Sequence, residues 1–554
     1  MKKNIVIIAA FFSFGLINSC KKEFLEKTPL GVANEATLAN QAGVNAVLIA
    51  AYSLLDGVGS GPNFTSAGSN WIYGEVASDN AYKGSDVGDQ AQIITIERYQ
   101  GQADIGAYND KWIAVYDGVS RSNDVLRLLA KATDVKEADK PQVMAEARFL
   151  RAWYHFEAKK MWNMAPYVDE TVTDFNVAND QDIWPQIEAD LEYAVANLSP
   201  AKSQPGRASS WTAKAVLAKV HMFQQDYAAA KLLLDDVINN GPFALVDCFH
   251  DNFKIATENN RESILEVQNS VADGGSGQNG NDGDNLNFPY NAGPGGCCGF
   301  FQPSQNLVNA FKTDANGLPL LDNFNDEDVK NDEGLSSSDP FVPYEGNLNP
   351  RLDWTVGRRG IPFLNWGIHP GRNWIRDQIF AGPYTSMKYT FYKGENAGAE
   401  SNRANANNYR ALRFADILLL RAEVAVEEND LATALTIVNQ IRDRANNCEV
   451  TLDNGTPAAH YVVGLYPAFP SQDYARKAVY FERRLELALE GHRFFDLVRW
   501  GNAAETLNAY LSKESLKRTY LSGATFEKGK DEYFPIPQTQ IDIEGSTVLK
   551  QNPL

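Results

Sequence analysis

The sequence predicts a mainly α-helical protein in which long irregular segments interrupt a scaffold of helices. The stretch YNDKWIAVYDGVSRSNDVLRLLAKA places Trp112, Tyr116 and Val119 on one face at α-helical spacing. A second stretch, AEARFLRAWYHFEAKKMW, continues with the same period. From about 242 to 408 the helical period is mostly lost, and glycine, proline and asparagine become frequent. Helices therefore build both ends of the chain, and an irregular region separates them.

Two segments of the chain repeat one pattern of small and apolar residues. When Asp226 is aligned with Asp430, Ala218 meets Ala422. Further matches are Ala228 with Ala432, Ala230 with Ala434 and Val237 with Ile441. Small residues at matching positions let helices approach closely, as in tetratricopeptide units that stack to bury a shared core. The repeat predicts a tetratricopeptide-like helix-pair scaffold.

Length and charge restrict the classes of partner. A chain of 554 residues can bury a large core without disulfides or a structural metal. Its formal net charge is −19, and its lysines and arginines form no concentrated run. Such a surface repels polyanions, so we expect no nucleic-acid partner.

The amino terminus predicts export and lipid attachment. Lys2 and Lys3 precede an apolar stretch over residues 5–17, which is too short to span a bilayer but is typical of a signal peptide. The residues INSC, ending at Cys20, resemble a bacterial lipoprotein cleavage site. We therefore interpret residues 1–19 as a lipoprotein signal peptide and expect Cys20 to carry the lipid, with palmitate among its acyl chains. An ordinary signal peptide followed by a chance cysteine is the alternative.

Four cysteines remain after Cys20, and an even number in an exported chain permits disulfides without requiring them. The neighbours Cys297 and Cys298 could form a vicinal disulfide or stay free. No CxxC motif pairs with a second one, so we expect no zinc site.

A glycine-rich loop carries oxygen ligands that could bind calcium, namely Asn281, Asp282, Asp284 and Asn285. They lack the ordered spacing of an EF-hand. A solvated loop is the favoured interpretation, and we expect neither a metal nor a cofactor.

The segment ERRLELALEGHRFFDLVRWG, from Glu482 to Gly501, could be an active site or a scaffold helix. A catalytic interpretation makes Glu486 or Glu490 an acid or base with His492 as its partner. The apolar residues of this segment recur at spacings of three and four, which is the stripe of a helix, and Gly491 would cap that helix. The spacing favours the scaffold.

Several motifs, in this order, resemble the SusD/RagB family of outer-membrane nutrient-binding lipoproteins. Besides the lipidation cysteine and the charged segment, they are ASDNAY at Ala77, NPRLDWTVGRRGIPF at Asn349, YRALRFADILLLRAEV at Tyr409 and YFPIPQTQID at Tyr533. The resemblance spans nearly the whole chain. It implies a single SusD-like domain over residues 20–554, with an N-terminal part to about 240, an irregular excursion over about 242–408 and a C-terminal helical part over about 409–554.

The resemblance also implies a function. Members of this family are mostly helical, with four tetratricopeptide-like pairs and an irregular ligand face, and they have no catalytic centre. We therefore expect a lipid-anchored protein at the cell surface, in the outer membrane, that captures oligosaccharide or polysaccharide for a SusC-like TonB-dependent transporter. Oligopeptide binding, as in RagB-like members, is the alternative, and a glycoside hydrolase is a remote one. Charged residues of the C-terminal segment would neutralise one another between packed helices: Glu482, Arg484, Glu490, Arg493 and Asp496.

A carbohydrate site needs flat aromatic rings flanked by amide, carboxylate or guanidinium groups, and two irregular excursions supply them. The first excursion, residues 59–86, carries Trp71, Tyr73, Asp79, Asn80 and Tyr82. The second carries Tyr290, Trp354, Arg358, Trp366, Arg372 and Trp374. Because these rings lie outside the helical periodicity, we expect Trp71 and at least one of the three later tryptophans to be stacking platforms.

Overall fold

The computed structural model describes residues 35–58, 63–174, 176–275 and 279–553. The predicted signal peptide and Cys20 lie outside this part of the chain. Among the described helices, none is long and apolar enough to cross a membrane.

The expected helical fold is confirmed. The amino-terminal half contains α1 (Glu35–Leu38), α2 (Gln41–Ser53), α3 (Asn63–Ser66), a π-helical turn (Trp71–Val76), α4 (Gln92–Glu97), α5 (Gly106–Lys131), α6 (Lys140–Trp162), α7 (Trp184–Asn197), α8 (Ser210–Phe223) and α9 (Tyr227–Asn240). The rest contains α10 (Gln305–Ala310), α11 (Arg351–Thr355), α12 (Gln378–Ala381), α13 (Phe414–Glu427), α14 (Leu431–Ala445), α15 (Gln472–Leu487), α16 (Arg493–Arg499), α17 (Ala503–Glu514) and α18 (Gln538–Glu544).

Strands are short and pair only in twos within the described residues. They are β1 (Ala81–Gly84), β2 (Ser263–Val267), β3 (Phe300–Pro303), β4 (Val356–Gly357), β5 (Thr385–Ser386) and β6 (Tyr409–Arg413). The antiparallel pairs are β1 with β3, β2 with β6, and β4 with β5. The β1–β3 pair joins the first excursion to the second, the β2–β6 pair joins the start of the second excursion to the residues that lead into α13, and the β4–β5 pair lies within the second excursion.

The long helices pack in sequence order from α5 to α9, and α9 then packs on α13, which leads to α14 and α15. The predicted repeat corresponds to the pairs α8–α9 and α13–α14. Asp226 and Asp430 are the N-caps of the second helix in each pair, and their carboxylates accept from Ala229 N and Thr433 N, each at 3.1 Å. A capping carboxylate satisfies backbone N–H groups that the helix leaves free, so the repeat marks the same helix start twice.

The segment from Glu482 to Gly501 lies in the core, but its helix ends earlier than the spacing predicts. Helix α15 stops at Leu487, and the chain turns at Leu489 and Gly491, both with positive φ, before α16 begins. Gly491 therefore follows a turn and does not cap the helix. Its α-carbon approaches another segment of the same chain so closely that a Cβ at Gly491 would lie 2.1 Å from Ser69 O.

A cluster of buried charges holds this segment, and we call it the buried ion cluster. It comprises Glu262, Glu482, Glu486, Glu490, Arg351, Lys388, Arg413, Arg442 and Arg444. The Arg413 guanidinium lies 2.8 Å from both Glu262 and Glu490 and 2.6 Å from Glu486. The predicted neutralisation occurs only partly within the segment. Glu482 pairs with Arg351 and Arg442 from other elements, whereas Asp496 pairs with Arg483 and Arg499 of the segment itself.

The four remaining cysteines form two disulfides. Cys248 is bonded to Cys448, with their α-carbons 5.0 Å apart, and this bond joins the start of the irregular excursion to the C-terminal helical part. Cys297 is bonded to its neighbour Cys298.

Candidate ligand-binding surface

The first excursion does not offer the aromatic platform that the sequence predicts. Trp71 is 1% exposed and Tyr73 is equally buried, while Asp79, Asn80 and Tyr82 are at most 2% exposed. A ring buried on both faces cannot stack on a sugar. The expectation that these five residues contact ligand is therefore corrected in this structure.

Close backbone contact explains why this segment is buried. A Cβ at Gly74 would lie 2.1 Å from Gly491 O, so the π-helical turn and the C-terminal segment touch at two glycines. Beside this contact, Glu75 accepts hydrogen bonds from Gly491 N at 2.8 Å and His492 N at 3.1 Å. Asp79 pairs with Arg493 at 2.8 Å and with Arg484 at 3.1 Å. The charged C-terminal segment thus binds the first excursion, and both are scaffold.

The polar atoms of the buried aromatic residues are also satisfied inside the protein. Trp71 Nε1 donates to Gly283 O at 3.2 Å, and the Tyr73 hydroxyl donates to Ala107 O at 2.7 Å. The Tyr82 hydroxyl donates to Glu514 and accepts from Gln305 N. These bonds position the loop and leave no group directed at a ligand.

The three tryptophans of the second excursion converge on one small hydrophobic cluster, formed by Phe363, Trp374 and Met387. Trp374 is 7% exposed and belongs to the cluster itself, so it is not a platform. Trp354 packs against the cluster from outside, but the His250 ring stacks on it at 4.2 Å. Trp366 is the exception.

Trp366 is half-buried, and its Nε1 donates to Phe391 O at 2.9 Å, which fixes the orientation of its ring. Its neighbours Asn365, Gly367 and Ile368 are exposed. Phe391 packs against the ring at 6.0 Å and the Lys393 ammonium lies 5.9 Å from its centroid, which leaves part of the ring accessible. A partly accessible ring that is anchored through its polar atom is suited to stacking. Of the four tryptophans that the sequence suggests, only Trp366 retains this role.

Arg358 also differs from the prediction that it contacts ligand. Its guanidinium forms a two-pronged ion pair with Asp353, at 2.6 and 2.8 Å, and is 4% exposed. Arg372 is exposed, and no hydrogen bond or ion pair engages its guanidinium within the described part of the chain. Arg372 can therefore reach a ligand, whereas Arg358 supports the loop.

Tyr290 lies beside this region. Its backbone N–H donates to Trp374 O at 2.8 Å, and its half-buried ring lies 5.7 Å from the Arg376 guanidinium. Trp366 packs against the small hydrophobic cluster, Tyr290 bonds to Trp374 of that cluster, and Arg372 and Arg376 each lie two positions from Trp374 in the sequence. We refer to these four residues together as the Tyr290–Trp366 surface.

Arg376 is a residue that the sequence interpretation missed, although it follows Trp374 by two positions. It pairs with Asp86 at 2.7 Å and with Asp89 at 2.6 Å, and it donates to Ser85 Oγ at 2.9 Å. About a third of each charged side chain is exposed. The end of the first excursion and the three residues that follow it, residues 85–89, thus reach this surface, whereas the aromatic residues of the excursion do not.

The loop that carries the vicinal disulfide borders the same surface. Three glycines with positive φ, Gly295, Gly296 and Gly299, surround Cys297 and Cys298. Arg403 Nη1 lies 3.6 Å from Cys298 Sγ, and Gly299 faces Tyr290 and Arg376. Gly295 and Gly299 are buried, and a Cβ at Gly295 would lie 2.6 Å from the Phe288 ring, so the absence of a side chain lets this loop pack closely on its neighbours.

The glycine-rich loop and the histidines are the places at which the sequence leaves a metal site or acid–base chemistry open. The described residues contain no group of three or more His, Cys, Asp and Glu side chains arranged to hold a metal ion. Asp284 is buried and accepts from Ser69 at 2.8 Å and Asn281 at 3.0 Å, so the loop satisfies its carboxylate internally. Burial lowers the pKa of His155, His369 and His492 to about 3. These imidazoles are therefore neutral near pH 7.

Two depressions among the described residues lie away from the Tyr290–Trp366 surface. A cavity of 360 Å³ is bordered by Tyr99, Tyr108 and Tyr533, and an open groove of 690 Å³ is bordered by Trp211 and Phe243. The half-buried rings and exposed guanidinium groups of the Tyr290–Trp366 surface make it the candidate for first contact with a ligand.

Comparison with known proteins gives one consistent result for the sequence. The model of the SusD family matches residues 261–554, and a second model, described as starch-binding associating with outer membrane, matches residues 23–222. A SusD-like protein, P25, from Formosa agariphila is 26% identical over 523 residues, covering 90% of each chain.

Solved structures agree on the fold. A SusD-like protein from Bacteroides fragilis superposes with a TM-score of 0.70 at 21% identity, covering 95% of this chain and 99% of the other. Surface glycan-binding protein A from Bacteroides thetaiotaomicron, solved in complex with laminarihexaose, gives a TM-score of 0.64 at 22% identity, covering 93% and 99%. At these identities the likeness concerns the fold.

Proposed function

The chain belongs to the SusD family, and on this premise we propose that it captures oligosaccharide or polysaccharide at the cell surface and delivers it to a SusC-like TonB-dependent outer-membrane transporter. Two relatives of the same fold support a carbohydrate ligand: one is described as laminarin binding, and another was solved with laminarihexaose. The description of the amino-terminal match supports an outer-membrane location.

The observation that carries the proposal is the composition of the Tyr290–Trp366 surface. It combines two half-buried aromatic rings with the guanidinium groups of Arg372 and Arg376. Aromatic faces bind the apolar C–H faces of sugars, and guanidinium groups donate to their hydroxyls. Backbone hydrogen bonds fix Tyr290 and Trp366 in advance, so little side-chain freedom is lost on binding.

Attachment to the membrane is the second part of the proposal. Cys20 receives the lipid, and the helical fold stays outside the bilayer. Cys20→Ala should move the protein from the membrane fraction to the soluble fraction after cell lysis. If the variant still requires detergent for extraction, the lipid anchor is not at Cys20.

The third part is that the protein binds its ligand without cleaving it. Glycoside hydrolysis uses a pair of carboxyl groups about 5 to 10 Å apart across a cleft. On the Tyr290–Trp366 surface, the nearby carboxylates Asp86 and Asp89 are both paired with Arg376. Burial alone would raise the pKa of Asp86, but backbone hydrogen bonds and Arg376 hold it below its usual value, whereas a general acid must carry a proton near neutral pH.

A glycan array with a matched peptide panel tests this function. The protein, purified in detergent, is expected to bind a restricted group of oligosaccharides and no oligopeptide, and those oligosaccharides should remain intact during overnight incubation. If the protein binds only oligopeptides, the proposed ligand class is wrong, although the family assignment is unaffected. Release of shorter sugars by the purified protein would contradict the absence of catalysis.

A further inference from the structure

The groove at Trp211 is separate from the Tyr290–Trp366 surface. Its volume is 690 Å³, within the range of about 300 to 1,000 Å³ that is usual for ligand pockets. One wall is the segment over residues 200–205, and the other is formed by residues 242–243 and 259–263. None of the residues of the Tyr290–Trp366 surface borders it.

Two aromatic rings, Trp211 and Phe243, border this groove, and the fold fixes their positions. Trp211 is the second residue of α8, directly after a capping box in which Ser209 Oγ accepts from Thr212 N at 3.2 Å. The Trp211 ring is half-buried, with Lys214 Nζ 4.5 Å from its centroid. Phe243, also half-buried, is supported by Phe414 at 6.3 Å. Both rings border the groove and are held in place without a ligand.

Polar groups line the opposite wall in fixed positions. The exposed Arg261 donates through Nε to Leu245 O at 2.9 Å and pairs through Nη2 with Asp247 at 2.8 Å, and no contact engages its Nη1 within the described residues. The exposed Asn259 forms a reciprocal amide pair with Gln268, at 2.9 and 3.1 Å. Preorganised donors and acceptors beside aromatic rings are the combination that sugar hydroxyls and C–H faces require.

A smaller cavity of 200 Å³ shares Gln204 and Pro205 with the groove, and we call it the extension of the groove. It is bordered by Tyr52 and Arg207, whose guanidinium lies 5.4 Å from the Tyr52 ring. An aromatic ring with a cation beside it therefore occurs in both depressions, Lys214 at Trp211 and Arg207 at Tyr52. A ligand made of repeating units, each with a flat apolar face and polar edges, matches such a series.

We propose that the Trp211 groove and its extension form a second carbohydrate-contacting site, which binds another stretch of the oligosaccharide or polysaccharide that the Tyr290–Trp366 surface captures. This inference rests on the proposed function. Two sites on one polymer raise the apparent affinity, because the second contact is intramolecular once the first has formed. Removing Trp211 should therefore weaken polysaccharide binding about tenfold or more.

Affinity gel electrophoresis tests the groove, with laminarin, amylopectin, arabinoxylan or polygalacturonate cast into native gels. The variants are Trp211→Ala and Arg261→Ala, and Trp184→Ala is the matched control. Trp184 is also half-buried at the start of a helix, α7, but does not border the groove. Thermal melting of each variant shows whether it is folded, and Arg261→Ala remains informative if Trp211→Ala melts early because Arg261 is exposed.

The expected result is that both groove variants migrate faster than wild type in the gel that retards wild type, whereas Trp184→Ala is retarded normally. Hydrogen exchange of wild type with fragments of that polysaccharide should also slow over residues 200–211. If both groove variants are retarded as strongly as wild type, and hydrogen exchange does not slow over residues 200–211, the second site is overturned and the proposed function stands. A wild-type protein that no polysaccharide retards, and that binds only peptides, would overturn both.

Discussion

At the scale of single residues, Trp71 and Trp366 occupy opposite environments. The Trp71 ring lies 6.2 Å from Phe300 and 5.7 Å from Phe301, and it is 1% exposed. The Trp366 ring lies 6.0 Å from Phe391 and 5.9 Å from the Lys393 ammonium and is only half-buried. Truncation of a buried ring removes its burial energy and leaves a cavity, whereas truncation of a half-exposed ring removes much less contact.

Trp71→Ala is expected to lower the free energy of unfolding by about 3 to 5 kcal/mol, because it empties a fully enclosed site. Trp366→Ala should lower it by less than about half of that amount. Urea denaturation of the two variants beside wild type measures the difference. Equal losses in the two variants would contradict the assignment of Trp366 to the surface.

Glu75 is the residue whose ionisation should affect stability near neutral pH. Its carboxylate accepts hydrogen bonds from Gly491 N, His492 N and Asn80 Nδ2, but it is fully enclosed. Burial raises the pKa of Glu75 to about 7, and the hydrogen bonds offset only part of this effect. An acid whose pKa is higher in the folded than in the unfolded state loses stability as pH rises between the two values.

Glu75→Gln removes this ionisation while keeping an oxygen that can accept from the two backbone N–H groups. The melting temperature of the variant, relative to wild type, should therefore rise between about pH 5 and about pH 8, because only wild type must ionise a buried carboxyl group. Melting curves at both pH values measure the difference. A difference that is the same at both values would show that Glu75 does not titrate in this window.

At the scale of elements, α15 and the turn after it connect the helical scaffold to the excursions. Glu486 and Glu490 bind arginines from α11, β6 and α14 and a lysine from residue 388. Burial alone would raise the pKa of Glu490, but Arg413 and Lys388 hold it below its usual value. Glu490 therefore stays ionised, and its ion pairs fix these elements relative to one another.

Glu490→Ala should destabilise the protein by roughly 3 to 5 kcal/mol, because Lys388 would keep a buried charge without its carboxylate partner and Arg413 would lose one of its three carboxylates. Glu505→Ala, in an exposed position on α17, is the matched control and should change stability by less than about 0.5 kcal/mol. Chemical denaturation distinguishes the two. A Glu490→Ala variant as stable as the control would show that the buried ion cluster does not hold this segment.

The sequence was most informative about the secondary-structure elements. The alignment of Asp226 with Asp430 identified two helix starts, because a capping carboxylate acts on residues only three positions away. The end of α15 was misplaced: apolar spacing continues to Leu489, but the helix stops at Leu487. The backbone contacts of Gly491 with residues far away in sequence impose that turn, and periodicity carries no information about them.

At the scale of the whole molecule, long-range contacts decide which irregular residues are buried. Residues 71–82 look like a polar loop in the sequence, yet the C-terminal segment, about 400 positions later, covers them. The motifs predicted the helical fold and the family, because they are distributed along the chain. They did not distinguish the five buried residues of the first excursion from Trp366, since exposure depends on chain packing that no local pattern encodes.

The central claim is that the Tyr290–Trp366 surface binds carbohydrate. Its most direct test is calorimetric titration of wild type and Trp366→Ala with the oligosaccharide that the array selects, paired with thermal melting. We predict that wild type binds and that Trp366→Ala binds about tenfold more weakly, as expected for one lost stacking contact, while its melting temperature changes little. Binding of that oligosaccharide to Trp366→Ala with wild-type affinity would contradict the claim.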